Sequence, residues 1–97
     1  MYQKILVPVD GSATSDLGLQ EATKLAKLTG ARVRLLHVVD VLSLAMAGEG
    51  MVGAAGDLLS AARESGRTIL RRAETSVQAA HLTVDTVLLE YTSGRVA

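Results

Sequence analysis

Tyr2-Gln-Lys-Ile-Leu-Val-Pro-Val-Asp-Gly-Ser12 opens the chain, and Val33-Arg-Leu-Leu-His-Val-Val-Asp40 repeats its pattern. Each is a short run rich in Val, Ile and Leu that ends on an aspartate. Strands buried on both faces have this composition, and such strands belong to parallel sheets covered by helices. In open parallel sheets, ligands bind beyond the carboxyl ends of the strands, which is where Asp10 and Asp40 fall. The segments that decide the fold therefore also mark its functional edge.

Working outward, residues 3–9 read as a first strand, and Asp10-Gly-Ser-Ala-Thr-Ser15 supplies turn and helix-start chemistry, with Ser12 or Ser15 as N-cap. A helix follows to about Thr29, with Leu17, Ala22, Leu25, Ala26 and Leu28 expected to face the core. Lys24 and Lys27 suit its negative C-terminal end, and Gly30 suits the left-handed residue that closes it. Residues 32–39 form a second strand. From roughly 57 to 80, Leu59, Ala62, Ile69, Leu70, Ala73 and Val77 recur at helical spacing. The opposite face of that helix carries Arg63, Glu64, Arg67, Arg71, Arg72 and Glu74, a solvated surface with local ion pairs. Residues 82–89, more polar and more alternating, predict a third strand at a sheet edge.

With right-handed crossovers this order gives an α/β fold: a Rossmann-like parallel sheet, strands in the order 3-2-1, with flanking helices. Tyr91-Thr-Ser-Gly-Arg-Val-Ala97 reads as a loop leading into a further helix. A doubly wound sheet needs strands on both sides of its switch point, and the order 3-2-1 leaves strand one as an open edge. Residues 1–97 are accordingly expected to form a single domain that is incomplete at its C-terminus.

Composition excludes several classes. Ten basic and ten acidic residues cancel without a block of either sign, which argues against nucleic acid or an anionic membrane as partner. The chain has no cysteine, so disulfides, thiolate metal sites and cysteine nucleophiles are excluded. An apolar fraction of 48% argues for a packed domain. No apolar run approaches the ~18 residues of a membrane span, and Lys4 interrupts the N-terminus where a signal peptide would be apolar. A cytoplasmic location is the expectation.

The motifs that carry chemistry are few. Residues 41–56 hold four glycines and one charge, Glu49, and read as an apolar loop near the strand ends, suited to a lid or a partner contact. They include a G-x-G-x-x-G at Gly48, Gly50 and Gly53, but it does not follow directly on a strand, and Arg71 and Arg72 stand where an acidic partner would be needed. A dinucleotide site is disfavoured on those grounds. Ser12 and Ser15, with His37 and Asp10 or Asp40, contain the residue types of a hydrolytic triad, yet neither serine sits in a G-x-S-x-G elbow. His37, near the end of a buried strand, reads as a hydrogen-bonded structural imidazole. Asp10, His37 and Asp40 form only a weak divalent-metal pattern, and His81 has no evident partner. Pro8 lacks an N–H and is expected to interrupt the ladder, letting the strand finish and aiming Asp10 into the crevice. There Asp10 can accept hydrogen bonds from ribose hydroxyls, or form an Asx turn or helix cap; the two roles are compatible.

Lys4-Ile-Leu-Val-Pro-Val-Asp-Gly-Ser12, then Ala22 to Leu28, then Gly30-Ala-Arg-Val-Arg-Leu-Leu-His-Val-Val39 resemble the N-terminal half of the universal stress protein family. The resemblance implies a parallel sheet of order 3-2-1-4-5, homodimers, and a stress-response regulator that in many members binds ATP. By that resemblance Pro8, Val9 and Asp10 would line the adenosine site, with Asp10 near the ribose and Val38 meeting the adenine through its backbone. The implied ligand is ATP or another adenine nucleotide, with or without Mg2+, and no catalytic residue is implied beyond at most weak ATP hydrolysis in a complete domain. The family's phosphate-gripping segment, G-x-x-G-x9-G-[ST], is absent from these residues, so weak ATP binding or none is expected of this chain. The alternative is a nucleotide-free module that binds itself or another protein.

Overall fold

In the computed structural model, which describes residues 3–41 and 54–91, strands and helices alternate along the chain. They are β1 (Lys4–Pro8), α1 (Ala13–Thr29), β2 (Arg32–Asp40), α2 (Ala54–Ala79) and β3 (Val84–Tyr91). The strands form one parallel sheet in the spatial order β1-β2-β3, with Ile5 beside Val33 and His37 beside Leu88. Each boundary lies within a few residues of its expected position. The largest change is that α2 begins at Ala54 and takes up the end of the segment read as a 41–56 loop. The Gly48, Gly50 and Gly53 motif and residues 92–97 lie outside the described residues.

Strand alternation gives the sheet two unlike faces. Val7 of β1 and Val33 and Leu35 of β2 join Leu19 and Ala26 of α1 and Leu70, Ala73 and Val77 of α2 in one core. Both helices thus cover the same face, as two right-handed crossovers stepping in one direction require. Leu35 and Val77 are wholly buried, and each large side chain so buried contributes about 1.5–3 kcal/mol. The other face carries Leu6, Val38 and Leu89, which are 58%, 41% and 47% exposed, beside an Arg34–Asp85 pair bonded in a two-pronged fork at 2.9 Å.

The expected stripe on α1 needs correction. Ala22 and Ala26 face the sheet as expected, but Leu17, Leu25 and Leu28 are exposed and Leu19 joins the core in their place. At about 100° per residue, Leu17 and Leu28 fall together on a line roughly 160–200° away from Leu19 and Ala26, so the expected set mixed two faces. The α2 stripe holds, with Leu70, Ala73 and Val77 buried.

Pro8 also behaves differently from expectation. The Gln3 carbonyl and the Val9 N–H both point to β2, where they bond Arg32 and Leu36 at 2.8 Å. Backbone direction alternates along a strand, so Pro8 turns its nitrogen to the outer edge of β1 and the ladder continues past it. Its missing N–H costs the β1–β2 pairing nothing.

Candidate functional site

The turn after β1 is held by a closed set of short-range bonds. Ser12 caps α1, its hydroxyl oxygen accepting from the Ser15 N–H at 3.1 Å, while Ser15 Oγ accepts from the Asp10 N–H at 3.1 Å. Asp10 Oδ1 accepts from the Ser12 N–H at 2.8 Å, which is the Asx turn anticipated from the sequence. Hydrogen bonding from Ser12, its hydroxyl first and its backbone second, holds the Asp10 carboxyl below its ordinary value of 3.8. Gly11 makes the turn possible with a φ of +83°, a region that side-chain-bearing residues rarely enter.

Asp10 stays exposed at the mouth of a cavity of about 540 Å³ that runs along β1. Pro8, Val9, Asp10 and Val38 all line it, together with Leu36 and His37 from β2 and Gly18 and Ala22 from α1. Four residues separated by up to 30 positions are thus brought to one crevice at the carboxyl ends of two strands, where ligands bind in open α/β sheets. Asp40 ends β2 but does not line this cavity.

The floor of the crevice is a strand edge. Along β2 the even-numbered residues direct their backbone groups to β1, as the Arg32 N–H and the Leu36 carbonyl do. Val38 is next in that series, and the ladder ends before it, at the Pro8–Leu36 pair. The Val9 carbonyl, which a longer ladder would offer to the Val38 N–H, accepts instead from His37 Nδ1 at 2.8 Å. A carbonyl only accepts, so Nδ1 carries a proton and donates it to this bond. The imidazole is therefore hydrogen-bonded and structural, as the sequence suggested. Val38 keeps its N–H and C=O turned toward the gap where β1 has ended.

Gly66 of α2 gave no signal in the sequence beyond being a glycine inside an amphipathic helix. A Cβ placed on it would come within 2.5 Å of His37 Cδ2 and 2.9 Å of Leu88 Cδ1. The helix therefore rests directly on the imidazole and fixes its plane.

What the crevice can hold follows from its lining. A carboxylate with one oxygen committed to the turn, a strand edge with a donor and an acceptor, and apolar walls suit a ribose and a flat heterocycle. Neither Lys nor Arg lines it, so the described residues offer no cationic grip on a triphosphate. Among the described residues no group of three or more His, Asp or Glu side chains is placed to hold a metal ion. Ser12, Ser15 and His37 are taken up by the cap and by the Val9 carbonyl, which leaves no nucleophile–base pair among them. A smaller cavity, about 300 Å³, lies between α1 and α2 beside Val9 and Gly11. No helix among the described residues is long and apolar enough to cross a membrane.

The sequence profile of the universal stress protein family matches residues 1–96. Among solved structures, a universal stress protein family member from Burkholderia pseudomallei superposes with a TM-score of 0.81 at 29% identity, over 98% of this chain and 67% of that one. Universal stress protein UspA from Lactobacillus plantarum superposes with a TM-score of 0.76 at 25% identity, over 94% of this chain and 62% of that one. This chain therefore spans roughly two thirds of the length of those proteins. No curated protein matches it.

Proposed function

The chain belongs to the universal stress protein family, and from that premise we propose that it is a stress-response regulator whose crevice receives the nucleoside part of an adenine nucleotide. One observation carries the reading: Pro8, Val9, Asp10 and Val38 line a single cavity whose floor presents the Val38 backbone edge. The Asp10 carboxylate can accept from ribose hydroxyls with the oxygen not used in the turn, while the Val38 N–H and C=O face the base. In this reading the ligand acts as a switch and not as a substrate; among the described residues Ser12 and Ser15 are engaged in the cap and His37 at the Val9 carbonyl. A cytoplasmic location and a homodimer accompany this reading.

Titration with adenosine and with ATP, followed by amide NMR, tests it. At about 0.3 kcal/mol per heavy atom or less, adenosine in a half-open site should bind with a Kd on the order of 0.1–1 mM. Shifts should concentrate at residues 9–12 and 37–39, and ATP should bind no more than a few-fold tighter than adenosine, because the lining has no cation for its phosphates. Asp10→Ala should weaken both ligands alike. Micromolar ATP affinity would refute the limitation of the crevice to the nucleoside part, and unchanged affinity in Asp10→Ala would refute the assignment of Asp10.

A second reading draws on the uncovered face. Leu6, Val38 and Leu89 are solvent-exposed there, beside an outer β1 edge that is unpaired among the described residues. A nucleotide-free module that self-associates would use this surface. Light scattering separates the two readings: mass rising with concentration and insensitive to adenosine favours self-association as the primary role.

A further inference from the structure

We propose that His37 is a positioning residue that keeps the Val38 backbone edge free to read a ligand's base; its value for nucleotide binding rests on the adenine reading above. The first two strands pair regularly up to the Val9 N–H, which donates to the Leu36 carbonyl at 2.8 Å. One more bond in the same series would join the Val38 N–H to the Val9 carbonyl and seal the strand ends together. His37 Nδ1 occupies that carbonyl at 2.8 Å, drawing it toward the helix-covered face. Val9 is 5% exposed, so its carbonyl needs a partner, and the imidazole supplies one without using the β2 backbone. Val38 is 41% exposed, and its N–H can remain solvated until a ligand replaces the water.

The device depends on the ring staying in place. Gly66 lets α2 approach so closely that any Cβ there would overlap His37 Cδ2 at 2.5 Å. The imidazole is held between that helix and the Val9 carbonyl, so its orientation is set before any ligand arrives. The freed edge presents a donor and an acceptor side by side. That pattern complements a ring nitrogen that accepts next to an exocyclic amine that donates, as on adenine. Guanine presents the reverse pattern on the same edge, so the edge selects between the two purines.

Amide hydrogen exchange on the 97-residue chain tests the positioning role without any nucleotide. In the unaltered protein the Val38 amide should exchange freely, while those of Leu35 and Val39, which point to β3, are protected. In His37→Leu the Val9 carbonyl is released, and Val38 exchange should slow by about tenfold as the ladder closes on it. His37→Asn, which keeps a donor near the position of Nδ1, should restore fast exchange. Should His37→Leu fail to fold, Gly66→Ala displaces the same ring and should slow Val38 in the same direction. A Val38 amide already protected in the unaltered chain, or unchanged in these variants, overturns the proposal. Adenosine and guanosine titrations then read the consequence: the adenosine preference should fall in His37→Leu and recover in His37→Asn. If the exchange pattern is as expected and neither nucleoside binds, the adenine reading fails while the positioning role of His37 stands.

Discussion

Replacing Gly66 by alanine sets two effects of known sign against each other. In a helix interior, Gly→Ala stabilises by about 1 kcal/mol through backbone entropy alone. At Gly66 the new methyl would lie 2.5 Å from His37 Cδ2, 2.9 Å from Leu88 Cδ1 and 3.1 Å from His37 Nε2. The end of a leucine can swing aside, but the imidazole is tethered to the Val9 carbonyl at 2.8 Å. Overpacking of this kind costs about 1–3 kcal/mol, so the helix gain is cancelled or reversed. Gly18 in α1 is the internal control, since a methyl there meets nothing within 4 Å. Gly18→Ala should therefore keep its full gain, and the two variants should differ by about 1–3 kcal/mol. Urea unfolding followed by far-ultraviolet circular dichroism measures this. With a slope of about 1–2 kcal/mol per molar, the midpoints should separate by roughly 0.5–3 M, Gly18→Ala being the higher. Equal stabilisation by both substitutions would show that α2 does not press on His37, and the account of the crevice floor would fail with it.

Two further outcomes follow from the turn and the sheet. Gly11→Ala forces a side chain to a φ of +83° and places its Cβ 3.3 Å from Ile69, so it should cost about 1–3 kcal/mol, with Gly11→Asn losing less; calorimetry would detect the difference as a lower Tm. Stability should also fall in acid. The Asp85 carboxyl is held below 3.8 by its hydrogen bonds to Arg34 and then by that residue's charge, and Asp10 is held below 3.8 by Ser12. Because both folded values are depressed, the contribution is present above pH ~4 and is lost as the pH falls through the lowered values. The Asp10→Asn, Asp85→Asn double variant should show a shallower decline below pH 4 in denaturant titrations, and an unaltered decline would exclude these two groups as its source.

The architecture was legible because β1 and β2 are short runs rich in Val, Ile and Leu punctuated by Asp10 and Asp40, and because α2 keeps its apolar residues in register over several turns. Its Leu70, Ala73 and Val77 were readable as core for that reason. The shorter α1 has leucines on two faces, and periodicity could not say which one the sheet would bury. Pro8 misled for a related reason. The residue type announces a missing donor, but only the register of Gln3 and Val9 against β2 shows that the donor is missing on the outer side. The family resemblance supplied Pro8, Val9, Asp10 and Val38 as a group, and the structure places all four on one cavity. The supporting layer was not legible, because Gly66 lies 29 residues beyond His37 and their contact exists only once α2 has docked.

The outward-facing nitrogen of Pro8 has a consequence for how this sheet can grow. A stray strand arriving at the outer edge of β1 finds N–H groups at Lys4 and Leu6, then reaches a residue that has none to give. Zippering loses its next bond there, before it reaches the end of the crevice beside Val9 and Val38. Adventitious addition at this edge, and with it fibre-like growth from β1, is thereby kept to a few bonds, which disfavours an intruding strand closing over the opening in front of Val38.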